Sequence, residues 1–162
     1  MRKYAICFCC ILLLSLMVQM ENVLAAGQQA PDLATLQKAA EQGDAEAQFA
    51  LGEKYYFGKG VPQDVASAAQ WYQKAAEQGK AMAQVKFGMM YAEGRGMPKD
   101  KTKAALWYHK AAEQGDPLAS MLASTNLSVM YLLGDGVPQD YDKAMEWTQK
   151  AEKAGQAFEA IR

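Results

Sequence analysis

His109 is the only histidine in the 162-residue chain. A metal site needs several histidine, cysteine or carboxylate ligands at suitable spacing. His109 has only Trp107, Tyr108 and Lys110 beside it, so it reads as a packed or solvated side chain. Penicillin-recognising enzymes carry Ser-x-x-Lys. Ser67, Ser120, Ser124 and Ser128 each lack a lysine three residues on. Ser124-Thr125-Asn126 matches Ser-x-Asn only superficially, in the middle of a helical stretch. Glu46 and Glu53 could pose as the carboxylate pair of a glycoside hydrolase. Seven helical residues separate their backbones by about 10.5 Å, and a solvated charged face accounts for them better. Gly58-x-Gly60 follows a helix rather than a strand, so it is no nucleotide loop. The sequon Asn126-Leu127-Ser128 also falls inside a helix. No catalytic residue, cofactor or metal is expected.

The other potential nucleophiles, Cys7, Cys9 and Cys10, all lie in the first 25 residues. That segment reads as a secretory signal peptide. Arg2 and Lys3 form its charged start, and Ala5 to Val18 its apolar run. Val23-Leu24-Ala25 supplies the small residues of a cleavage site, with cleavage expected after Ala25 or Ala26. The run of about 14 residues is short of the roughly 20 that cross a bilayer as a helix. No cysteine follows the cleavage motif, so lipid attachment is not expected. The mature chain would be exported, periplasmic or secreted, without thiols and without stable membrane insertion. The net charge of −1 gives no electrostatic footprint for nucleic acid.

What remains is governed by repetition. Ala-Ala-Glu-Gln-Gly occurs at 39–43, 75–79 and 111–115, a period of 36 residues, with a looser copy at 151–155 after 40. Gly58-Lys59-Gly60-Val61-Pro62 has variants in Gly94-Arg95-Gly96-Met97-Pro98 and Gly134-Asp135-Gly136-Val137-Pro138, followed two residues on by Asp64, Asp100 and Asp140. Trp71-Tyr72 recurs as Trp107-Tyr108 and Trp147-Thr148. Each unit reads as two helices. Asp44 caps helix A and Gly58 stops it. Pro62 cannot continue a helix. Asp64 caps helix B, which ends near Gly79. Unit three starts with Asp116-Pro117, a cap and a first-turn proline.

Apolar spacing supports the pairing. Ala47, Leu51 and Tyr55 fall on one helical face, as do Ala83, Phe87, Tyr91 and Ala123, Leu127, Tyr131. Gly52 and Gly88 interrupt the A helices, at a cost of about 1 kcal/mol each against alanine. Close approach of another helix would make that tolerable. On helix B, Ala68, Trp71 and Ala75 are expected to oppose this face, with the tryptophans as core packing. Lys74, Lys110 and Lys150 stand near B-helix C-termini, where cations are favoured.

On Ala47-Gln48, Leu51-Gly52, Tyr55, Gly58-x-Gly60-Val61, Asp64, Ala68, Trp71 and Lys74-Ala75-Ala76 the chain resembles the Sel1-like repeat family, cousins of the tetratricopeptide repeat. The likeness covers about residues 34–162. It implies an all-α fold, a right-handed α-solenoid of antiparallel helix hairpins with three full repeats and terminal capping helices. The expected layout is a linker and capping helix over 26–43 and repeats over 44–79, 80–115 and 116–155. A partial capping helix would follow over 156–162. The four extra residues of the third repeat fall in its first helix and predict an overhang of about 6 Å.

The resemblance also implies a non-enzymatic adaptor, expected here as a monomer, that binds a protein or peptide on a concave face lined by the A helices. One stripe lies off the core face of those helices. In unit one it holds Glu46, Phe49, Glu53 and Tyr56. Unit two supplies Met82, Val85, Met89 and Ala92, and unit three Leu122, Thr125, Val129 and Leu132. It grows more apolar toward the C-terminus, as an interaction surface would. The alternative is a cell-wall-ligand or β-lactam-binding protein with weak hydrolase activity. That activity is linked to cysteine-rich relatives, whose paired cysteines this chain lacks.

Overall fold

Aspartate begins most of the helices. In the computed structural model, which describes residues 32–162, the side chains of Asp44, Asp64, Asp100, Asp116 and Asp140 each accept a bond from a first-turn amide. These satisfy donors that have no partner within the helix. The helices are α1 (Leu33–Glu41), α2 (Ala45–Phe57), α3 (Val65–Glu77), α4 (Ala81–Glu93), α5 (Lys101–Glu113), α6 (Pro117–Leu133) and α7 (Tyr141–Ala160). There is no strand among the described residues. The expected signal peptide and most of the linker after it lie outside them.

The aspartates do a second job. The Asp64 amide donates to Tyr55 O at 3.0 Å, and Asp100 to Tyr91 and Asp140 to Tyr131 repeat the bond. Each therefore starts a B helix and closes the loop from the A helix before it. The second glycine of that loop fixes the stacking of units. Gly96 and Gly136 both have positive φ. A Cβ on Gly96 would stand 2.5 Å from Val65 O, and one on Gly136 would stand 2.6 Å from the Lys101 carbonyl carbon. Only glycine satisfies both the backbone angle and the contact with the preceding B helix.

The interior is built largely from alanine, which lets helices approach closely. Leu36, Ala40, Ala47 and Leu51 form the first cluster. The second holds Ala68, Tyr72 and Ala75 of α3 against Ala83, Phe87 and Met90 of α4. The third joins Val85, Ala104, Tyr108 and Ala111 to Ala119, Ala123 and Leu127 of α6. On the expected A-helix face Ala47, Leu51, Ala83, Phe87, Ala123 and Leu127 are buried, whereas Tyr55, Tyr91 and Tyr131 are only half-buried. On the B helices the tryptophans are only half-buried, and the neighbouring Tyr72 and Tyr108 lie fully inside. Trp71 packs toward Leu36 and Leu51, behind its own helix hairpin. Tyr72 packs forward onto the next unit. Each tryptophan also carries a lysine ammonium over its ring, from Lys74, Lys110 and Lys150 at 4.1, 4.3 and 4.5 Å. This cation–π contact adds to the helix-dipole reason for those lysines.

Glutamines tie the units together. Gln48 Nε2 donates to Ala40 O at 3.0 Å and Gln84 Nε2 to Ala76 O at 3.1 Å. Gln78 and Gln114 donate in turn to the Gln48 and Gln84 side-chain oxygens. Ser120 Oγ takes the corresponding post, donating to Ala112 O at 3.0 Å.

Two expectations about unit three need correction. Helix α6 has 17 residues against 13 in α2 and α4. Its N-terminal end is nevertheless held like theirs through Ser120, and its C-terminal end through Gly134 and Gly136. The added turn is taken up within the helix rather than as a simple overhang. It doubles a buried Ala-Ser pair, Ala119-Ser120 and Ala123-Ser124. Ser124 Oγ has no hydrogen-bond partner among the described residues. The separate capping helix over 156–162 does not form. Helix α7 runs through Gly155 to Ala160. The earlier copies of this glycine are followed by Asp44, Lys80 or Asp116, each an N-cap residue. Gly155 is followed by Gln156 and Ala157, good helix formers.

Candidate partner-binding face

The stripe read from the sequence does not form one uniform surface. In unit one its residues are engaged. Phe49 stacks at a tilt on Tyr72, 5.7 Å between centroids, with the Lys80 ammonium 5.4 Å from its ring. Glu53 accepts a 2.7 Å bond from the Tyr72 hydroxyl and pairs with Lys86 at 3.4 Å. Burial, and then this contact with Glu53, push the Tyr72 phenol far above its ordinary range. Tyr56 touches the rings of Phe57 and Tyr72, and its hydroxyl accepts from Arg95. Glu46 is paired with Lys80.

Unit two is mixed. Met82 and Ala92 are half-buried against the third cluster, and Met89 is exposed. Val85 is not part of a surface at all, being 1% exposed. It belongs to the core with Tyr108. The physical reason lies on helix B. Phe49, Val85 and Thr125 occupy equivalent A-helix positions, and the residue facing them is Tyr72, Tyr108 or Thr148. A tyrosine covers its partner; a threonine is too short to do so.

Unit three is open. Leu122 is 37%, Val129 49% and Leu132 46% exposed, and Leu133, outside the original stripe, is 64% exposed. Thr125 is exposed too, but its hydroxyl is bonded to Met121 O at 2.8 Å. No charged residue occurs in Pro117–Leu133. This makes an apolar ridge on α6; Met89 of α4, exposed in the same stripe, sits instead among Tyr56, Tyr72, Lys86, Glu93 and Arg95.

Beside the ridge, between α6 and α7, lies a cleft of about 360 Å³. Met121, Thr125 and Val129 form one wall, Ala151 and Glu152 the other, and Ser128 and Thr148 the floor. Ser128 Oγ lies 2.7 Å from Thr148 Oγ1 and donates to Ala144 O at 2.9 Å. Met121 belongs to the added turn. Its Sδ would lie 3.3 Å from a Cβ on Gly155, so the two irregular features of unit three pack on each other. The sequence reading missed this cleft, although the change from Gly and Tyr to Ser and Thr marked it.

His109, on α5, lies outside the cleft and packs against α6 and α7. Its ring meets Trp147 edge-on at 4.9 Å, and its Nε2 is 3.3 Å from the Tyr131 hydroxyl. Burial holds the imidazole below its ordinary pKa. These contacts describe a packed histidine.

Comparison with known proteins agrees with the repeat geometry. The Sel1 repeat pattern matches residues 36–44, 45–80, 81–116 and 122–156. The last match begins after the added turn. The fold is similar to that of a protective antigen present in uropathogenic Escherichia coli strains displaying an SLR fold, with TM-score 0.71 and 42% identity. That match covers 76% of this chain and 26% of the antigen. A Sel1 repeat protein from Oxalobacter formigenes is similar at TM-score 0.69 and 31% identity, over 85% of this chain and 55% of that one. This chain thus spans about a quarter of one structure and about half of the other. A comparison with curated proteins gives no match.

Proposed function

We propose that this chain, which belongs to the Sel1 repeat family, is an exported scaffold that holds a protein or peptide partner along its A-helix face. Proteins built from this repeat generally serve as interaction scaffolds. The observation that carries the reading is the uncharged α6 ridge of Leu122, Val129, Leu132 and Leu133. Exposing so much contiguous apolar surface is unfavourable unless something covers it. Met89 of α4 is exposed in the same A-helix stripe, and methionine adapts to varied partner shapes. Export is read from the charged start, short apolar run and small-residue site in residues 1–25. No helix among the described residues is long and apolar enough to cross a membrane.

The test is site-specific photocrosslinking in the cell of origin. A crosslinker at Leu132 should give one discrete adduct, and one at exposed Gln70 on α3 should not. Met89→Glu should weaken that adduct while helicity and Tm stay nearly unchanged. Equal adducts at both positions, or unfolding by Met89→Glu, would overturn the proposal.

A further inference from the structure

We propose that the α6/α7 cleft is a seat for an aromatic side chain that a protein partner supplies, next to a basic residue of that partner. The inference deepens the scaffold reading and rests on it. Its basis is the chain's own repetition. In units one and two the same groove between A and B helices is already filled by a phenol ring. Tyr72 lies against Gly52 so closely that a Cβ there would meet Cδ1 at 2.7 Å. Tyr108 lies on Gly88, with Cε1 at 2.8 Å from such a Cβ. Both rings are buried. In unit three the glycine is Ser128 and the tyrosine is Thr148, and the groove stands open. The cleft therefore continues an interface whose occupant is known twice within the molecule. Its volume of about 360 Å³ also falls within the usual range for ligand sites of about 300–1,000 Å³.

The floor suits a ring. Three hydroxyls line the cleft, and each is engaged. The two protons of Ser128 and Thr148 are taken up between Ala144 O and the contact of the two hydroxyls, and Thr125 donates to Met121 O. An apolar guest therefore strands no polar group, which would otherwise cost about 1–3 kcal/mol. Met121 makes one wall adjustable.

Charge selects the guest's neighbour. Glu152 stands where units one and two have Ala76 and Ala112. It lines the cleft, is exposed, and makes no ion pair of 4 Å or less among the described residues. The facing helix α6 has no charge to offset it. A lysine or arginine beside the aromatic anchor would complement it.

Two probes test this on the full chain as the cell produces it: N-acetyl-Phe-Arg-amide and N-acetyl-Phe-Glu-amide, titrated against backbone amide NMR shifts. Saturable shifts confined to α6 and α7 are expected. Phe-Arg should bind about two- to fivefold tighter than Phe-Glu, the size of an exposed ion pair. Glu152→Gln, which leaves every packed contact in place, should erase that preference. The double variant Ser128→Gly/Thr148→Tyr rebuilds the self-filled groove and should abolish the shifts while raising Tm. If that variant folds poorly, Ala151→Leu, which narrows the cleft, should weaken both probes. No saturable shift in the unaltered chain, or undiminished shifts in the folded filling variants, would overturn the seat. A partner crosslinked at Leu132 as strongly in the folded filled variant as in the unaltered chain would also overturn it, while leaving the scaffold reading standing. Loss of the Leu132 adduct from the unaltered chain would sink the scaffold reading itself.

Discussion

The groove between α2 and α3 and the groove between α6 and α7 have the same construction and opposite fates. In the first, Tyr72 lies on Gly52 beneath α4 and is sealed. In the second, Thr148 and Ser128 leave a cleft open to solvent. Two substitutions turn a core into a surface. Tyr72 and Tyr108 are each covered by the A helix of the following unit, whereas no further A helix lies over Thr148 among the described residues. Thr148 and Glu152, in place of tyrosine and alanine, make that side of α7 compatible with water. The ridge of α6 stays apolar, and this contrast is why the binding proposal is made for unit three.

The largest effect should come from making unit one resemble unit three. Tyr72→Thr empties a sealed site and leaves Glu53 without its phenol donor. Loss of a buried aromatic ring typically costs about 3–5 kcal/mol. Urea titration should show such a loss, whereas Thr148→Ala should change stability by about 0.5–1 kcal/mol at most. Similar costs at the two sites would break the comparison.

Next is the residue opposite the ring. Val85→Thr puts a hydroxyl into the core beside Tyr108 and should cost about 1–3 kcal/mol. The reciprocal Thr125→Val, on the open groove, should be near neutral or slightly stabilising by the same measurement. A neutral Val85→Thr would mean that Tyr108 does not seal its groove.

The helical glycines sharpen the point with a change of sign. Gly88→Ala gains about 1 kcal/mol of helix propensity but forces a methyl onto a buried ring, an overpacking worth about 1–3 kcal/mol. Net destabilisation is expected. Gly155→Ala meets only the flexible end of Met121 at 3.3 Å. It should keep most of the gain of about 1 kcal/mol, seen as a higher Tm. Two changes of the same sign would show that the groove does not decide the outcome.

Much of this was legible in the residues. Capping aspartates, stop glycines and apolar spacing act locally, so they announce each helix. Tyr72 and Tyr108 were harder to read than the tryptophans beside them. Both neighbours on a B helix reach their own A helix, Trp71 near Leu51 and Tyr72 on Gly52, but only the tyrosine is also covered by the next unit, and spacing within a helix cannot say which is sealed. Val85 was misplaced for that reason, since its cover comes from α5. Gly155 failed as a stop because a glycine ends a helix firmly only when the following residues also favour ending it. The cleft exists only by comparison between units, through the paired change of Gly88 and Tyr108 to Ser128 and Thr148.

The smallest effect concerns His109, whose counterparts in units one and three are Gln73 and Gln149. Its ring is packed by Trp147 and touches Tyr131, with Glu113, Lys143 and Lys150 nearby. Burial is the main cause of its lowered pKa. Glu113 opposes the shift, and the two lysines reinforce it. The folded imidazole thus resists a proton that the unfolded chain accepts near its ordinary value of 6.5. Where the unfolded state binds more protons, stability rises with pH. The contribution of neutral His109 is therefore present above about pH 6.5 and declines as pH falls through that value. The capping carboxyls of Asp64, Asp100 and Asp140 are also held below their ordinary value of 3.8, chiefly by the Ser67 side chain for the first and by the Lys103 and Lys143 amides for the others. Their loss falls at more acid pH, so the two effects separate. Between about pH 7 and pH 5, His109→Gln should flatten the decline in Tm that the unaltered chain shows. An unchanged slope would mean that the ring is as free to take a proton when folded as when unfolded, and that the packing of α5 against α6 and α7 is looser at His109 than at Tyr108.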